Sequence, residues 1–300
     1  MNLSIAHLGP PGNYSEQAAL FYVNWLAKMQ SKQAVLCPCS SIAQTLKAVA
    51  HKSAMLAVVP AENSIEGSVT MTMDAMWQLD SLHIQLALVM PIVHVLISCA
   101  SSLDSIRTVY SHPQALAQCQ AWLERFLPDV QLIATNSTTE TLEKLETEEG
   151  AATISSQRAA QLYNLPILAA GINDHPDNCT RFWVVSLGST QNLGQDLNQD
   201  LNQDLQPITN KRHTSLAFSL RANIPGALVK ALQIFAQLNI NLSRVESRPT
   251  KRSLGEYLFF IDLEADIQDE RMQAALKELS TYTEVLKIFG SYNVLSTREM

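Results

Sequence analysis

The stretch LSIAHLGPPGNYSEQAAL, residues 3–20, combines a predicted strand, a turn and the start of a helix. Residues 3–8 are apolar enough for a buried strand, and residues 9–15 are typical of a turn. Ser15 is the predicted N-cap of a helix whose apolar residues recur at helical spacing: Ala18, Tyr22, Trp25, Leu26 and Met29. A strand that leads directly into a helix is the repeating unit of layered α/β domains, so this stretch predicts that class.

The alternation of strands and helices continues to residue 186. Further strands are predicted at residues 55–59, 84–97 with a break near Pro91, 108–110, 131–134, 151–154 and 182–186. Apolar spacing predicts a helix over residues 116–126, and STTE at 137–140 is a capping-box pattern that opens another. We therefore expect an α/β domain with mainly parallel strands, in which ligands bind where strands end and helices begin.

A second unit follows a polar, low-complexity segment. Residues 188–210 contain the near-repeat DLNQDLNQDLQ, which is too short for a solenoid and predicts a linker. Beyond it, strands are predicted at residues 215–221, 241–247, 257–263 and 285–292, with helices at 227–238 and 270–280. This βαββαβ order is ferredoxin-like, with Gly255 at the hairpin turn. We divide the chain into residues 1–190, a linker at 191–210, and residues 211–300.

Composition excludes several classes of partner. The formal net charge is −7, so we expect no binding of nucleic acid. No segment is long and apolar enough to cross a membrane, and the first residues lack the pattern of a signal peptide. The five Cys and seven His residues lack metal-ligand spacing, so we expect free thiols, a cytoplasmic location and no metal.

Four strand-to-helix junctions are rich in Ser, Asn and Gly. They contain Ser15, the pair Asn63 and Ser64, Gln114 and Ser155. At helix starts such residues usually act only as caps, so each junction alone predicts a capped helix. Together they favour a crevice in which helix N-termini bind an anion without a basic patch.

A fifth polar segment, DHPDNCTRFW at residues 174–183, runs into the last strand of the first unit. Arg181 has a fork-shaped guanidinium that suits a carboxylate, and Thr180 offers a hydroxyl beside it. His175 and Cys179 suggest a nucleophile pair, but structural roles are favoured because no pattern supports the required geometry. Glu62 is a candidate acid, with a solvated carboxylate as the alternative.

In this order, the motifs resemble those of the prephenate dehydratase family. They are HLGPPGNYSEQAA (7–19), VVPAENSIEGSV (58–69), VYSHPQALAQCQAWL (109–123), AATISSQRAAQLYNL (151–165) and DNCTRF (177–182). In the second unit, NIPGALVKAL (223–232) and ESRP (246–249) resemble the phenylalanine-binding ACT domain of these enzymes. The sequence departs from the usual motifs of the family at two places. Residue 13 is Asn where the family usually has Thr. Ser155-Ser156 offers two neighbouring hydroxyls, and which of them the site uses is left open.

The resemblance implies a two-lobed α/β catalytic domain similar to type II periplasmic binding proteins, followed by a ferredoxin-like βαββαβ ACT domain. It implies that prephenate loses carbon dioxide and water to give phenylpyruvate, in phenylalanine biosynthesis, with no metal or organic cofactor. Thr180 is the implied catalytic residue. The implied substrate-binding residues are Ser15, Asn63, Ser64, Gln114, Ser155, Arg181 and Phe182.

By the same resemblance, phenylalanine binds between two ACT domains and lowers activity, so we expect a homodimer or homotetramer. The implied effector-binding residues are Asn223, Pro225, Gly226, Ala227, Leu228, Glu246 and Ser247. Two alternatives remain open. Arogenate dehydratase differs only in an amine or a ketone on the substrate side chain, and a non-catalytic small-anion sensor could also use a two-lobed fold.

Overall fold

The computed structural model of the chain describes residues 3–30, 33–137, 141–188 and 212–298. The predicted linker at residues 191–210 lies outside the described residues, as does most of the capping-box pattern at 137–140. Within the described ranges, no helix is long and apolar enough to cross a membrane.

The first unit folds as two α/β lobes, each built on its own sheet, which confirms the predicted fold class. Lobe one contains β1 (Leu3–Leu8), α1 (Tyr14–Gln30), β2 (Ala34–Cys39), α2 (Ile42–Ala50), β3 (Leu56–Asn63), β4 (Gly67–Ser68), α3 (Thr70–Gln78) and β5 (Leu82–Pro91). Lobe two contains β6 (His94–Ile97), β7 (Thr108–Ser111), α4 (Pro113–Ala117), α5 (Gln120–Phe126), β8 (Gln131–Ala134), β9 (Ala151–Ser156), α6 (Gln157–Tyr163) and β10 (Ile167–Ala170). The chain then returns to lobe one as β11 (Cys179–Leu187).

The prediction of mainly parallel strands holds for the centre of each lobe and fails where the chain crosses between lobes. β1 is parallel to β2 and β3, and β7 is parallel to β8 and β9. However, β11 is antiparallel to β3 and β5, and β6 is antiparallel to β9 and β10. The two crossings, at residues 92–93 and 171–178, reverse the chain direction and make both sheets mixed.

Two local features differ from the sequence prediction. The helix predicted over 116–126 divides into α4 and α5, because Cys119, with φ −122° and ψ 15°, leaves the helical conformation. The strand β2 was missed, since Pro38 interrupts its pattern. β2 is an edge strand, where a residue without a backbone donor is tolerated.

The second unit has the predicted βαββαβ order. Its elements are β12 (His213–Leu220), α7 (Ala227–Gln237), β13 (Leu242–Pro249), β14 (Tyr257–Leu263), α8 (Glu270–Tyr282) and β15 (Thr283–Ser296). The strands lie in the order β13-β14-β12-β15, and both helices cover one face through a core that includes Phe218, Phe235 and Leu279. Gly255 lies in the connection of β13 to β14 with φ +89°, as the predicted hairpin turn requires.

A contact that the sequence did not predict joins the two units into one sheet. β15 pairs antiparallel with β12 up to Tyr292 and then pairs parallel with β5 over residues 293–296. One core cluster spans the junction and includes Trp183 of β11, Phe260 of β14 and Tyr292 of β15. The second unit therefore packs beside β5 and β11 instead of standing apart from the lobes.

Gly290 permits the close approach of β15 to β5. Its φ is +143°, and a Cβ atom at this position would lie 2.5 Å from the backbone oxygen of Ile84 in β5. No side chain fits that gap, so the junction depends on the missing Cβ atom.

We expect Gly290→Ala to lower the free energy of unfolding by about 2–3 kcal/mol, because the methyl group would push β15 away from β5. Gly171→Ala is the matched control, since Gly171 also has a positive φ, of +66°, with no atom within 4 Å of its Cβ direction. Denaturant unfolding followed by Trp fluorescence measures both variants. Equal losses would show that backbone strain, and not the contact with Ile84, sets the cost.

Candidate functional site

Thr180 and Asn63 form a hydrogen-bonded unit where β11 meets β3. The two residues are direct partners in the strand pairing, and Asn63 Nδ2 donates to Thr180 Oγ1 at 2.9 Å. Both are largely buried, with exposed fractions of 7% for Thr180 and 8% for Asn63. The structure thus brings together two residues that the sequence analysis assigned to one site.

The side-chain oxygen of Asn63 fixes the direction of its amide. Asn63 Oδ1 accepts hydrogen bonds from the backbone N–H groups of Ile65 at 3.0 Å and Glu66 at 3.1 Å, as in an Asx turn. Because the oxygen is committed, Nδ2 must face Thr180. The Thr180 oxygen therefore accepts from Asn63, which leaves its own hydrogen to donate to a ligand.

Four further residues extend this unit into a network that reaches lobe two. Asn178 Oδ1 accepts from Asn63 Nδ2 at 2.9 Å and from Ser64 Oγ at 3.2 Å. Asn178 Nδ2 donates to Gln118 Oε1 at 3.0 Å, and Gln118 Nε2 donates to Glu66 at 3.3 Å. Buried amides whose donors and acceptors are matched in this way hold one another in a single arrangement.

His94 and Tyr14 continue the network toward α1. His94 Nε2 lies 3.0 Å from Gln118 Oε1, so this nitrogen carries the proton. Nδ1 is then an acceptor, and the Tyr14 hydroxyl lies 2.9 Å from both Nδ1 and the Val93 carbonyl oxygen, which share its single proton. Burial lowers the pKa of His94, although the bond to Gln118 partly offsets this, and burial raises the pKa of Tyr14. Both side chains are therefore uncharged at neutral pH.

The cap of α1 is Asn13 and not the predicted Ser15. Asn13 Oδ1 accepts from the Glu16 N–H at 2.8 Å, while the Glu16 carboxylate accepts from the Gly12 N–H at 2.6 Å. This reciprocal arrangement is similar to a capping box. Asn13 therefore has a structural role, and Ser15 is buried in the first turn of α1 beside Tyr14.

At the end of β9, the hydroxyl that meets lobe one belongs to Ser156. Ser156 Oγ donates to the Gly12 carbonyl at 2.6 Å and caps α6 by accepting from the Ala159 N–H at 3.0 Å. Ser155 is the direct partner of Val95, so both side chains share the other face of the sheet, where Val95 packs near α6. The predicted Ser155 is fully buried, and its hydroxyl has no hydrogen-bond partner among the described residues.

Gln114 also lies apart from the network. It is exposed in α4, one helical turn before Gln118, and Gln118 is the glutamine that bridges the lobes. The buried amide of this motif is thus Gln118, four positions after Gln114, and a substrate contact of Gln114 stays a prediction.

Strand alternation separates Arg181 from Thr180. The Arg181 guanidinium faces the second unit, 3.1 Å from Asp262 and 3.5 Å from Glu62. Glu62, the candidate acid, thus lies on the same side as Arg181 and away from Thr180. The partners of Arg181 among the described residues are thus carboxylates of the protein, and its role as a ligand of the substrate carboxylate stays a prediction.

Phe182 is a core residue. Its exposed fraction is 1%, and its ring packs with residues of α1, including Tyr22 and Trp25. The core of lobe one encloses the ring, and the substrate contact stays a prediction.

The predicted effector-binding residues lie on two segments of the second unit. Gly226, with φ +82°, precedes α7, and Asn223 Nδ2 donates to the Gly255 carbonyl at 2.9 Å. Asn223 also lines a cavity of about 450 Å³ between residues 219–223 and 250–259. Glu246 and Ser247 lie on β13, the edge strand, outside that cavity.

Several residues of the network were missed in the sequence. Asn178 precedes Thr180 by two positions, so strand alternation could have placed both on one face. Gln118 and Tyr14 lie inside motifs that were quoted, but no local pattern marks them. His94 carries no sequence signal, because its partners lie 24 and 80 residues away. The described residues contain no group of three or more His, Cys, Asp or Glu side chains that could hold a metal ion.

The buried, neutral His94 predicts a pH-dependent stability. Its pKa is lower in the folded chain than the value of about 6.5 in the unfolded chain, so the unfolded chain binds the extra proton. The contribution of the neutral ring is therefore complete above about pH 6.5 and lost as the pH falls through the folded-state pKa. We expect the difference in melting temperature between wild type and His94→Gln to shrink from about pH 8 to about pH 5. His175→Gln, outside the network, is the control, and a difference that is constant with pH would contradict the assignment.

Family models match both units of the chain. The model described as prephenate dehydratase matches residues 5–190, and the ACT domain model matches residues 214–281. In a solved structure, the prephenate dehydratase of Arthrobacter aurescens in complex with L-Phe has a TM-score of 0.81 and 33% identity, over 97% of this chain and 90% of that one.

Curated relatives agree with the family models. The prephenate dehydratase of Methanocaldococcus jannaschii is 34% identical over 98% of this chain and 99% of its own length. The bifunctional chorismate mutase/prephenate dehydratase of Aquifex aeolicus is 40% identical over 97% of this chain and 73% of its own length. Because the family model matches residues 5–190 and the Methanocaldococcus relative is similar over nearly the whole of both chains, the chain belongs to the prephenate dehydratase family.

Proposed function

We propose that the chain converts prephenate to phenylpyruvate beside Thr180, and that phenylalanine regulates this reaction through residues 211–300. The observation that carries the first part is the hydrogen bond from Asn63 to Thr180, with the Asn63 oxygen committed elsewhere. It supports a hydroxyl that is buried, oriented and able to donate to a substrate. The catalytic unit would comprise residues 1–190.

The reaction defines what such a site must supply. Prephenate carries two carboxylates and a ring hydroxyl. When the bond to one carboxyl carbon breaks, carbon dioxide leaves, and the electron pair enters the ring as the carbon–oxygen bond to the hydroxyl breaks. The departing hydroxide gains a proton and becomes water, and the ring becomes aromatic. The enzyme must therefore align both leaving groups and stabilise the oxygen on which charge develops.

Thr180 suits the second of these tasks. A threonine hydroxyl is too weak an acid to give up its proton fully, but its hydrogen bond to the departing oxygen strengthens as negative charge develops. Asn63 donates to the same hydroxyl oxygen at 2.9 Å, which polarises the O–H group. Because Asn178 and Gln118 hold Asn63 in turn, the donor is oriented before the substrate arrives.

The carboxylates of prephenate are assigned to neutral donors. Arg181 is engaged by Asp262 and Glu62, and the Glu16 carboxylate already accepts from the Gly12 N–H at the start of α1, so the donors proposed for the substrate are small polar side chains. The candidates are Ser15, Ser64, Gln114 and, at the end of β9, Ser155 or Ser156. This arrangement fits a chain whose net charge is −7.

We expect Thr180→Ala to lower kcat for prephenate by about 100-fold to 1,000-fold with little change in KM, because the lost hydrogen bond forms mainly in the transition state. Thr180→Ser, which keeps the hydroxyl, is the matched control and should retain most activity. The assay follows phenylpyruvate from prephenate and, in parallel, phenylalanine from arogenate. Near-wild-type turnover by Thr180→Ala would contradict the role of Thr180, and turnover of arogenate alone would change the substrate.

For regulation, we propose that phenylalanine binds at Asn223, Pro225, Gly226, Ala227, Leu228, Glu246 and Ser247, in a homodimer or homotetramer. The complex of the Arthrobacter enzyme with L-Phe supports phenylalanine as the ligand. Exposed apolar side chains near these residues, Ile224, Val229 and Leu254, support a contact with a second copy of the chain. To inhibit, phenylalanine must bind the less active conformation more tightly.

We expect calorimetry to detect binding of phenylalanine to the wild-type chain, and Asn223→Ala to weaken this binding by about tenfold, because the bridge between two turns is lost. Asn241→Ala, at an exposed position of the same unit, is the matched control. Light scattering gives the oligomeric state. Binding by neither wild type nor control would remove the regulatory proposal and leave the enzymatic one intact.

A further inference from the structure

Asp262 is a fully buried carboxylate that two arginines share, one from each unit. Its Oδ2 accepts from Arg244 Nε at 2.8 Å and from Arg181 Nη1 at 3.1 Å. Its Oδ1 accepts from Arg244 Nη2 at 3.2 Å and from Ser215 Oγ at 2.5 Å. Burial opposes its ionisation, but Arg244, Arg181 and Ser215 together lower the pKa of Asp262, so it is charged at neutral pH.

Opposite charges balance within this cluster. Glu62 lies 3.5 Å from Arg181, so two carboxylates face two guanidinium groups. The side chains of Asp262 and Arg244 are 0% and 6% exposed. At such burial, loss of one partner leaves a charge without compensation, which forces the remaining groups to move or admit water.

The charged cluster around Asp262 and the hydrogen-bond network around Thr180 lie on opposite faces of the same two strands, β11 and β3. Thr180 pairs with Asn63, and the next pair along β11 and β3 is Arg181 with Glu62. The register shifts directly after Arg181, so a bulge fixes the local twist at this point. A displacement of the Arg181 guanidinium therefore acts on backbone that also positions the Thr180 hydroxyl.

The other end of the cluster lies on β13. Arg244 donates to Ser68 Oγ at 3.1 Å, in the segment that follows Asn63, and Arg248 donates to Asp74 of α3 at 3.2 Å. β13 is an edge strand, so it has a sheet neighbour on one side only within the described residues. It also carries Glu246 and Ser247, two of the seven proposed effector residues.

We propose that Asp262 is a positioning residue of the active site. Through Arg181 it holds the strand position of Thr180, and through Arg244 it makes that position depend on β13. The positioning of Thr180 through Arg181 is argued from the contacts alone. The coupling through Arg244 would be a route from bound phenylalanine to Thr180, and it rests on the proposed function and deepens it.

The test begins with Asp262→Asn in the full chain, which keeps the shape and removes the charge. We expect kcat for prephenate to fall by about tenfold, with KM changed less than about twofold, because displacement of Thr180 affects the transition state. Kinetics are measured where circular dichroism shows both proteins folded. Asp80→Asn is the matched control, since Asp80 pairs with Lys287 at the same junction and should keep kcat within about twofold.

A double-mutant cycle separates positioning from general destabilisation. If Asp262 acts through Arg181, then Arg181→Met combined with Asp262→Asn should be no slower than the slower single variant. If Asp262→Asn does not fold, Arg244→Lys replaces it, which keeps the charge but loses the fork, and a smaller fall in kcat is expected. Wild-type kcat in the variant that folds, or additive losses in the cycle, would overturn the proposal.

The proposed coupling of bound phenylalanine to Thr180 is tested by a separate measurement. At saturating phenylalanine, the fold-inhibition of Asp262→Asn should be at least about threefold smaller than that of Asp80→Asn. Equal inhibition would overturn the coupling through Arg244. If phenylalanine does not inhibit the wild type, regulation fails as part of the proposed function, and kcat without phenylalanine still decides the positioning role.

Discussion

The pairs Thr180–Asn63 and Arg181–Glu62 lie side by side where β11 meets β3, and a register shift follows directly. On one face, this pairing orients a neutral hydroxyl through an amide whose oxygen is held by backbone N–H groups. On the other face, it carries an arginine into a buried cluster with Asp262. Because successive side chains of a strand point to opposite faces, the chemistry and its support use adjacent residues.

Different interactions stabilise the two faces of the paired strands β11 and β3. Around Thr180, buried amides, a neutral imidazole and a phenol match donors to acceptors, and the carboxylate at the end of this network, Glu66, is exposed. This leaves a buried environment in which a charge that develops on a substrate oxygen interacts strongly with the Thr180 hydroxyl. Around Asp262, paired charges bridge the two units, and removal of one partner is costly there. Loss of Arg244 or Asp262 in the second unit therefore also changes the contacts of Arg181 on β11.

The junction between the units depends on the absence of a Cβ atom at Gly290 as much as on attractive contacts. Gly290 lets β15 approach β5 closely, and the core cluster that contains Trp183 and Phe260 fills the space beside it. β5 in turn pairs with β11 along most of its length. The ferredoxin-like unit is thus part of the sheet that holds Thr180, which gives the regulatory proposal a mechanical basis.

The sequence by itself determined the α/β class, the βαββαβ order of the second unit, and the motifs that carry Asn63 and Thr180. These are local signals, set by hydrophobic period, turn chemistry and motif order. Only the tertiary structure decided that Asn13 caps α1, that Gln118 and His94 join the network, that Arg181 pairs with Asp262, and that Phe182 is enclosed in the core of lobe one. Burial, hydrogen-bond partners and the direction of a side chain depend on residues distant in sequence, and strand pairing brings these together only in the folded chain.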